Sequence, residues 1–536
     1  MSQATAELIE VAEPPEPRVA PSDVRTRHAQ ADRTVFWLST AIVLGLLLRV
    51  HCLLFPYLWL DEYVTLWSIG GETYGEMLRR SMQWTASSPL FVLVYRASCD
   101  LVGNIDLGLK LPGVIGGTIA IWVTWWTARR FYGDGEVALV AAWLVALAPQ
   151  FIHFSQEGRP YMIASVLLLA ASGFLAGWLQ SGRRSQLAAI VALSIAAVGF
   201  QLLSVLAIAA HNVIVLCSGV YRRWPKHRWV HWVVAQLILA GGLSIVGTQF
   251  HTLGRRQGSM ILDTALPMPT RLALDAGLWG QLQVEAAFVL IGLAFWWCAW
   301  RFPKTDLARA WSARFGAVCM AGATFWVPTV LLTACVAMRF VDGWPRYYFL
   351  FYPGIMLALA WLVAGAFPKN LSRILVVAVL GSAVMQFNYF QRVPSCRLNL
   401  AWCDFTEAER DIQSRFGPGD LILSRSGLIE SNQESFLTDP IGASYLKCFC
   451  EARTGRLAAE HLPLPFSPES DATRNYLDRV FAEKALTRDD FWLANIGESD
   501  FDYRDWIEDH FGDVLERRET VAFRMITLTH YVNVSR

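Results

Sequence analysis

Charge is what this chain has least of. Only 17% of its 536 residues are Asp, Glu, Lys or Arg, against 54% hydrophobic ones, more apolar surface than one soluble core can bury. Mean hydropathy is +0.35, so a membrane is the expected solvent. A formal net charge of +1 removes the electrostatic case for nucleic acid or a strongly acidic partner. The first 33 residues lack the short apolar core and small-residue cleavage site of a secretory signal. They are rich in Pro, Ala, Glu and Arg without apolar periodicity, which reads as a disordered cytoplasmic tail. No glycine-rich nucleotide loop follows a strand, no Ser/His/Asp ordering stands out, and no Cys/His spacing suits structural zinc.

What the chain has is a series of apolar stretches of spanning length, about 17 to 25 residues. They fall near 34–55, 107–128, 136–153, 160–180, 187–199, 201–221, 229–250, 276–300, 315–337, 347–366 and 371–391, which predicts about eleven crossings. The fifth and sixth share one nearly unbroken run, 187–221, just long enough for two short spans. A further stretch, 88–103, is short and carries Arg96 and Asp100. If it lies on the membrane without crossing, Arg129/Arg130, Arg183/Arg184, Arg222/Arg223/Lys226/Arg228, Arg301/Lys304/Arg309 and Lys369/Arg373 all fall on the cytoplasmic side with the basic tail. The expected topology is N-terminus in and C-terminus out, with outer segments at 56–106, 154–160, 251–275 and 338–346. Several of the 23 Trp, among them Trp59, Trp122, Trp178, Trp229, Trp279 and Trp344, end apolar runs as interfacial rings do; ordinary packing accounts for about half of such placements.

After about residue 392 the character changes. The segment is charged, has a Gly417-Pro418-Gly419-Asp420 turn, strand-like runs at 421–424, 491–496 and 521–529, and helix-like segments near 405–416 and 473–486. A small extracytoplasmic α/β domain follows from that alternation. The expected division is a tail at 1–33, a polytopic α-helical membrane domain at 34–392 and the α/β domain at 393–536. Cys396, Cys403, Cys448 and Cys450 lie in that last domain, where an oxidising compartment would allow one or two disulfides of undetermined connectivity.

Three short constellations sit where the spans meet the outer face. Trp59-Leu60-Asp61-Glu62 follows the first span; Asp61 and Glu62 are either solvated loop charges or a base with its neighbour, Asp61 taking a proton from an attacking hydroxyl. Gln156-Glu157-Gly158-Arg159-Pro160-Tyr161 follows the third. Pro160 and Glu157 suit a helix start for structural reasons alone, whereas Arg159 offers a planar fork of donors to a phosphate or carboxylate. Trp344-Pro345-Arg346-Tyr347-Tyr348 enters the tenth span, as an interfacial anchor or as a second phosphate clamp. Lys110, beside Pro112, either adds a third cation there or snorkels. His153 and Glu285 read as satisfied buried polar groups, although ionisable residues within spans are functional candidates.

In their order and membrane placement, these motifs resemble the GT-C membrane glycosyltransferases, closest to glycosyltransferase family 39. That family includes protein O-mannosyltransferases and the aminoarabinose transferase of lipid A. The similarity covers most of residues 34–366, strongest over 55–165. It implies inverting transfer of a sugar from a polyprenyl-phosphate donor to a lipid, glycan or protein hydroxyl outside the cytoplasm, in a bacterial inner membrane. Asp61 would be the base and Glu62 its neighbour, while Lys110, Glu157, Arg159, Tyr161, Arg346 and Tyr347 would bind substrate and carrier phosphate. Two departures stand out: Lys110-Leu111-Pro112 replaces an Arg-x-Pro, and Phe200-Gln201-Leu202 stands where relatives carry His-Tyr. The second puts any metal role tied to that His in doubt; no cofactor is otherwise implied, and a divalent metal is compatible with the resemblance. A polytopic transporter or flippase of envelope lipids or glycans is the alternative, against which the absence of matched halves counts.

Overall fold

A computed structural model describes residues 21–51, 53, 60–85, 87–221, 224–244, 322–335, 345–365, 369–392, 415–417, 419–425, 429–454, 459–468, 470–496, 501–522 and 526–536. The first part is helical: α1 (Pro21–Val50), α2 (Leu60–Ile69), α3 (Tyr74–Arg80), α4 (Pro89–Val102), α5 (Ile105–Tyr132), α6 (Gly135–Leu147), α7 (Pro149–Ser155), α8 (Tyr161–Ser181), α9 (Arg184–Phe200), α10 (Val205–Tyr221) and α11 (Lys226–Leu243). Further along come α12 (Gly322–Cys335), α13 (Pro345–Tyr348), α14 (Tyr352–Gly365) and α15 (Lys369–Arg392).

Among the described residues, four helices are long and apolar enough to cross a membrane: 32–50 of α1, then α5, α8, and 202–220. The pair α6 and α7 makes a fifth if its bend of 57° is counted as one broken span, and α9, α12 and 349–365 are shorter apolar helices. The run near 276–300 lies outside the described residues. Helix α4, at 14 residues, is too short to span, in keeping with the reading of 88–103 as a juxtamembrane helix. The helical ladder of α1 starts at Pro21, inside the segment read as a disordered tail. Pro suits a first helical turn, and Arg25, Arg27, Ala29, Gln30 and Ala31 are good helix formers that extend the span outward.

Helix α5 lies at the centre of the packing because its small residues admit its neighbours. An added Cβ at Gly113 would stand 2.6 Å from the Ser155 carbonyl oxygen, and one at Gly116 would stand 3.2 Å from Ile163 on α8. Close approach of this kind is how helices associate where lipid gives no hydrophobic drive. Thr127 on α5 also donates to the Leu169 carbonyl on α8 at 3.2 Å. At one end of this bundle Gln180 donates to the Arg130 carbonyl at 3.0 Å and Arg228 lies against Gly182. Arg129, Arg130, Arg183, Arg184 and Arg228 therefore gather at one end, and α2 to α4 occupy the other.

The bend at Pro149 has a chemical cost and a visible compensation. Proline has no N–H, so the Val145 carbonyl loses its helical donor, and the change of direction takes the Gln150 N–H from the Ala146 carbonyl. Arg49, fully buried near the end of α1, supplies both: Nη2 donates to the Val145 oxygen at 2.9 Å and Nη1 to the Ala146 oxygen at 3.2 Å. Its Nε reaches the Ser155 hydroxyl at 3.1 Å. Because unpaired backbone groups are intolerable in a bilayer core, one arginine makes the broken span permissible. Replacing Arg49 by Leu leaves those carbonyls unsatisfied at about 1–3 kcal/mol each. A drop of several degrees in the melting temperature of the purified protein is expected; an unchanged one would contradict this role.

The C-terminal part carries a five-stranded sheet, order β2-β1-β3-β5-β4, from β1 (Leu421–Arg425), β2 (Glu460–Leu464), β3 (Asp490–Ile496), β4 (Leu515–Ala522) and β5 (Ile526–Asn533). Strand β1 is parallel to β2 and β3, and β5 is antiparallel to β3 and β4. Helices α16 (Glu434–Thr438), α17 (Pro440–Thr454), α18 (Asp471–Val480) and α19 (Tyr503–Phe511) pack on it. Leu421, Leu423, Tyr445, Leu477, Phe481, Leu493 and Ile507 form its core. The single strand-like run expected at 521–529 falls across two antiparallel strands, the end of β4 and the start of β5. Strand β2 escaped the sequence reading because Pro463 interrupts its pattern; Pro is tolerated on such an edge strand. The helix expected near 473–486 is α18, prolonged by a wider π turn, Phe481–Ala485. The helix expected at 405–416 lies almost wholly, and Cys396 and Cys403 lie entirely, outside the described residues.

His461 on β2 is buried beside the Ser424 hydroxyl, 3.4 Å away, and desolvation, with the nearby Lys447 charge, holds its pKa down at about 4. The unfolded chain, with an ordinary imidazole near 6.5, takes up a proton that the folded domain refuses. Stability therefore falls as pH drops from about 6.5 to about 4, by at most about 3 kcal/mol. Faster hydrogen exchange of β1 and β2 at pH 5 than at pH 7.5, corrected for intrinsic rates and abolished by His461→Gln, is the expected result.

Candidate active site

Two segments build the site. Helix α2 starts at Leu60, so Asp61 and Glu62 occupy its first turn, where the N-terminal partial charge favours carboxylates. Facing them is the turn between α7 and α8, residues 156–160, which the bent span directs back toward α2. Gln156 ties this turn to the end of α1, its side-chain amide donating to the carbonyls of Leu48 at 3.2 Å and Arg49 at 3.1 Å.

Glu62 is buried, and its Oε1 accepts the Gly158 N–H at 2.6 Å. Gly158 suits the close approach: an added Cβ would stand 3.2 Å from Leu109 Cβ and 3.3 Å from Glu62 Oε1, so its neighbours would have to give by a few tenths of an ångström. Arg159 grips the same helix. Its Nη1 donates to the Asp61 carbonyl at 3.1 Å and to the Thr65 hydroxyl at 3.2 Å, while Nη2 stands 3.9 Å from Asp61 Oδ2. Thr65 in turn donates to the Gly158 carbonyl at 3.0 Å, and Tyr95 of α4 donates to the Arg159 carbonyl at 2.7 Å. The arginine is thus held by its own backbone, and its guanidinium lies beside the carboxylate without a tight bidentate pair.

The surrounding residues extend this end. Glu157 is buried; Oε1 lies 3.0 Å from His153 Nε2, and Oε2 has no hydrogen-bond partner among the described residues. The His153 ring is half-exposed, so this residue, read from sequence as a satisfied buried group, is an accessible imidazole held by a carboxylate. Arg159 lies 5.8 Å from the Tyr161 ring centroid, and Tyr161 lies 6.2 Å from the Tyr347 ring. Lys110 is buried in the first turns of α5, next to Leu109, which meets Gly158. Arg346 is in α13, one residue before Tyr347, and its side chain lies outside the described residues, as does all of Glu285. Asp61, Glu62, Glu157, Arg159, Tyr161 and Tyr347 are therefore brought together, with Lys110 at the same end. Thr65 and Tyr95 were not singled out from the sequence; Thr65 carried one signal, its spacing of four from Asp61 on a helix. Arg49 carried another, a cation late in an apolar span.

Among the described residues no three His, Cys, Asp or Glu side chains are grouped so as to hold a metal ion. His153 and Glu157 form a pair, which is not a metal-holding set. The arrangement is one carboxylate beside a fixed cation, on a short helix locked to a turn, at the mouth of a helical bundle.

This architecture is that of the GT-C membrane proteins. The structure matches apo ArnT from Cupriavidus metallidurans with a TM-score of 0.53 at 14% identity, over 94% of this chain and 98% of that one. Residues 86–244 match the family described as dolichyl-phosphate-mannose-protein mannosyltransferase. ArnT from Cupriavidus metallidurans bound to undecaprenyl phosphate matches at a TM-score of 0.48 and 14% identity, over 92% and 97% of the two chains. The oligosaccharyltransferase AglB from Archaeoglobus fulgidus matches at 0.47 and 12%, over 87% and 70%. No curated protein matches by sequence.

The Glu62 to Gly158 bond is the joint of the two segments. Glu62→Ala strands a buried N–H at about 1–3 kcal/mol, while Glu62→Gln keeps an acceptor and loses only the charge-assisted part. Hydrogen exchange at residues 156–160 should accelerate markedly in the alanine variant and slightly in the glutamine variant; equal protection in both would refute the joint.

Proposed function

We propose that the protein is an inverting glycosyltransferase that moves a sugar from a polyprenyl-phosphate donor to an acceptor hydroxyl on the extracytoplasmic side of a bacterial inner membrane. The observation that carries this reading is the Asp61 and Arg159 pair, with Nη2 to Oδ2 at 3.9 Å, on the face of a GT-C bundle opposite its gathered arginines. The basic end faces the cytoplasm by the positive-inside rule, which puts the carboxylate outside, with the α/β domain. The matched family's description names a polyprenyl-phosphate sugar as donor, and the fold is that of ArnT.

The chemistry needs few groups. Asp61 accepts the proton of the acceptor hydroxyl as its oxygen attacks the anomeric carbon. The bond from that carbon to the phosphate oxygen breaks, and its electron pair leaves with the polyprenyl phosphate. Arg159, Lys110 and Arg346 are the cations offered to the charge that grows on the leaving phosphate, and held donors outperform water because they need no reorganisation. One carboxylate base serves a single displacement, so inversion follows; retention would require a nucleophile against the anomeric carbon. Glu62, engaged with Gly158, positions α2 and leaves Asp61 for the proton. Glu157, Tyr161 and Tyr347 line the approach to Arg159. The sugar is a hexose or pentose, and lipid, glycan and protein hydroxyls are the acceptors to try.

The test is transfer of radiolabelled sugar from a panel of polyprenyl-phosphate donors to native membrane extract by the purified protein. Asp61→Asn should lower the rate by about 10²–10⁴-fold with the fold intact. Donor consumption by no member of the panel, or full activity in Asp61→Asn, would overturn the reading.

A further inference from the structure

Helix α2 is held on opposite faces by two parts of the molecule. At about 100° per residue, Asp61, Glu62 and Thr65 form one face, and Tyr63, Val64 and Trp67, each two positions further on, form the opposite one. The first face holds the 156–160 turn. The second is packed into the core of the sheet domain, which takes in Trp67 and flanking Tyr63 and Val64. Trp67 is only 3% exposed. Its ring lies 4.9 Å from that of Tyr445 on α17, at 68°, and its Nε1 donates to the Ser444 hydroxyl at 3.2 Å. Arg80 of α3 covers it at 5.3 Å. Nearby, Trp84 meets Phe436 of α16 edge-on at 5.0 Å.

We infer that the C-terminal domain positions the Asp61 carboxylate, with Trp67 as the positioning residue through which it acts. A helix of ten residues is too short to be stable alone; isolated helices below about 12–15 residues are marginal in water. Its orientation is set by what grips it. The turn at 156–160 grips the first helical turn through Glu62 and Arg159, and the membrane domain holds the far end, with Ile69 in its core, Leu66 packed against it and Arg96 of α4 donating to the Ile69 carbonyl at 2.9 Å. Both of these act from the bundle side; Trp67, nearly two turns on from Asp61, is the grip on the opposite face, and its partner is the sheet domain. A displacement of about 1 Å at a reacting group costs up to about 10²-fold in rate, so a side chain that touches no substrate governs turnover from the far side of the helix. The domain therefore contributes to catalysis by holding the base, whatever it does for the acceptor.

This inference rests on the transferase reading, and its test separates the two. Full-length Trp67→Leu, Trp67→Phe and Ser444→Ala are compared with Leu477→Val, a substitution on α18 in the same domain core. Expected are a fall in kcat of about tenfold or more for Trp67→Leu with donor KM within about twofold, and small losses for Trp67→Phe and Ser444→Ala. Their double variant should be no worse than either, since one bond is shared. Leu477→Val should retain kcat. In parallel, hydrogen exchange across residues 60–69 should accelerate in Trp67→Leu and not in α8. Should Trp67→Leu fail to fold, Trp67→Phe and Ser444→Ala carry the same comparison. Unaltered kcat in the folded Trp67 variants, or a loss matched by Leu477→Val, overturns the positioning role. If wild-type protein transfers nothing, the transferase reading falls, and the exchange data decide the clamp: unchanged protection of α2 overturns it, and selective loss supports it.

Discussion

A bilayer offers no water to an unpaired carbonyl, and this chain bends an apolar helix pair by 57° at Pro149. The break between α6 and α7 is tolerated because Arg49 reaches the Val145 and Ala146 carbonyls at 2.9 and 3.2 Å. What the rest of the site needs follows from that repair. The chain leaves α7 in a new direction, Ser155 is held by Arg49 and Gln156 by the end of α1, and the turn that follows presents Gly158 and Arg159 to α2. A straight span would have carried residues 156–160 along the axis of α6. The arginine is buried for a backbone reason, and the geometry of two carboxylates depends on it.

Around that turn the electrostatics are arranged in layers. Asp61 and Glu62 sit where a helix N-terminus favours negative charge, and Glu62 is drawn into a short bond, to Gly158. Arg159 spends its donors largely on the Asp61 backbone and Thr65 and keeps a longer contact with the Asp61 carboxylate. A tight ion pair would have neutralised both groups. A cation fixed through the backbone stays close to the base without consuming it, which suits a reaction that removes a proton at one point and develops phosphate charge at another.

Much of this was legible in the sequence, unevenly. The apolar runs marked α1, α5, α8 and the stretch at 202–220 because spanning length is set by bilayer thickness. The short run at 88–103 was rightly separated from them. Asp61, Glu62, Arg159 and Tyr347 were visible because charged and aromatic residues at the end of an apolar run need a reason to be there. The roles of Thr65, Tyr95 and Arg49 were not visible: a hydroxyl or a cation in a helix looks the same whether it meets lipid, water or a carbonyl a hundred residues away. His153 was taken as a satisfied buried group, and the fold turned its ring partly outward beside Glu157. In the sheet domain, Pro463 hid an edge strand, and one apolar run in the sequence hid two antiparallel strands that long-range pairing makes plain.

The sequence by itself determined the solvent of this protein, the positions of four helices of spanning length, the sheet-bearing character of its last part and the residue types at one end of the bundle. These follow from local properties, namely apolar length, periodicity and the cost of charge near lipid. Only the tertiary structure decided that Glu62 binds a backbone N–H while Asp61 is left beside Arg159, that Arg49 repairs a broken span, and that Trp67 carries α2 into the core of the far domain. Each of those depends on contacts between segments distant in the chain, about 95 to 380 residues apart. Local patterning does not encode distances across such separations; packing does.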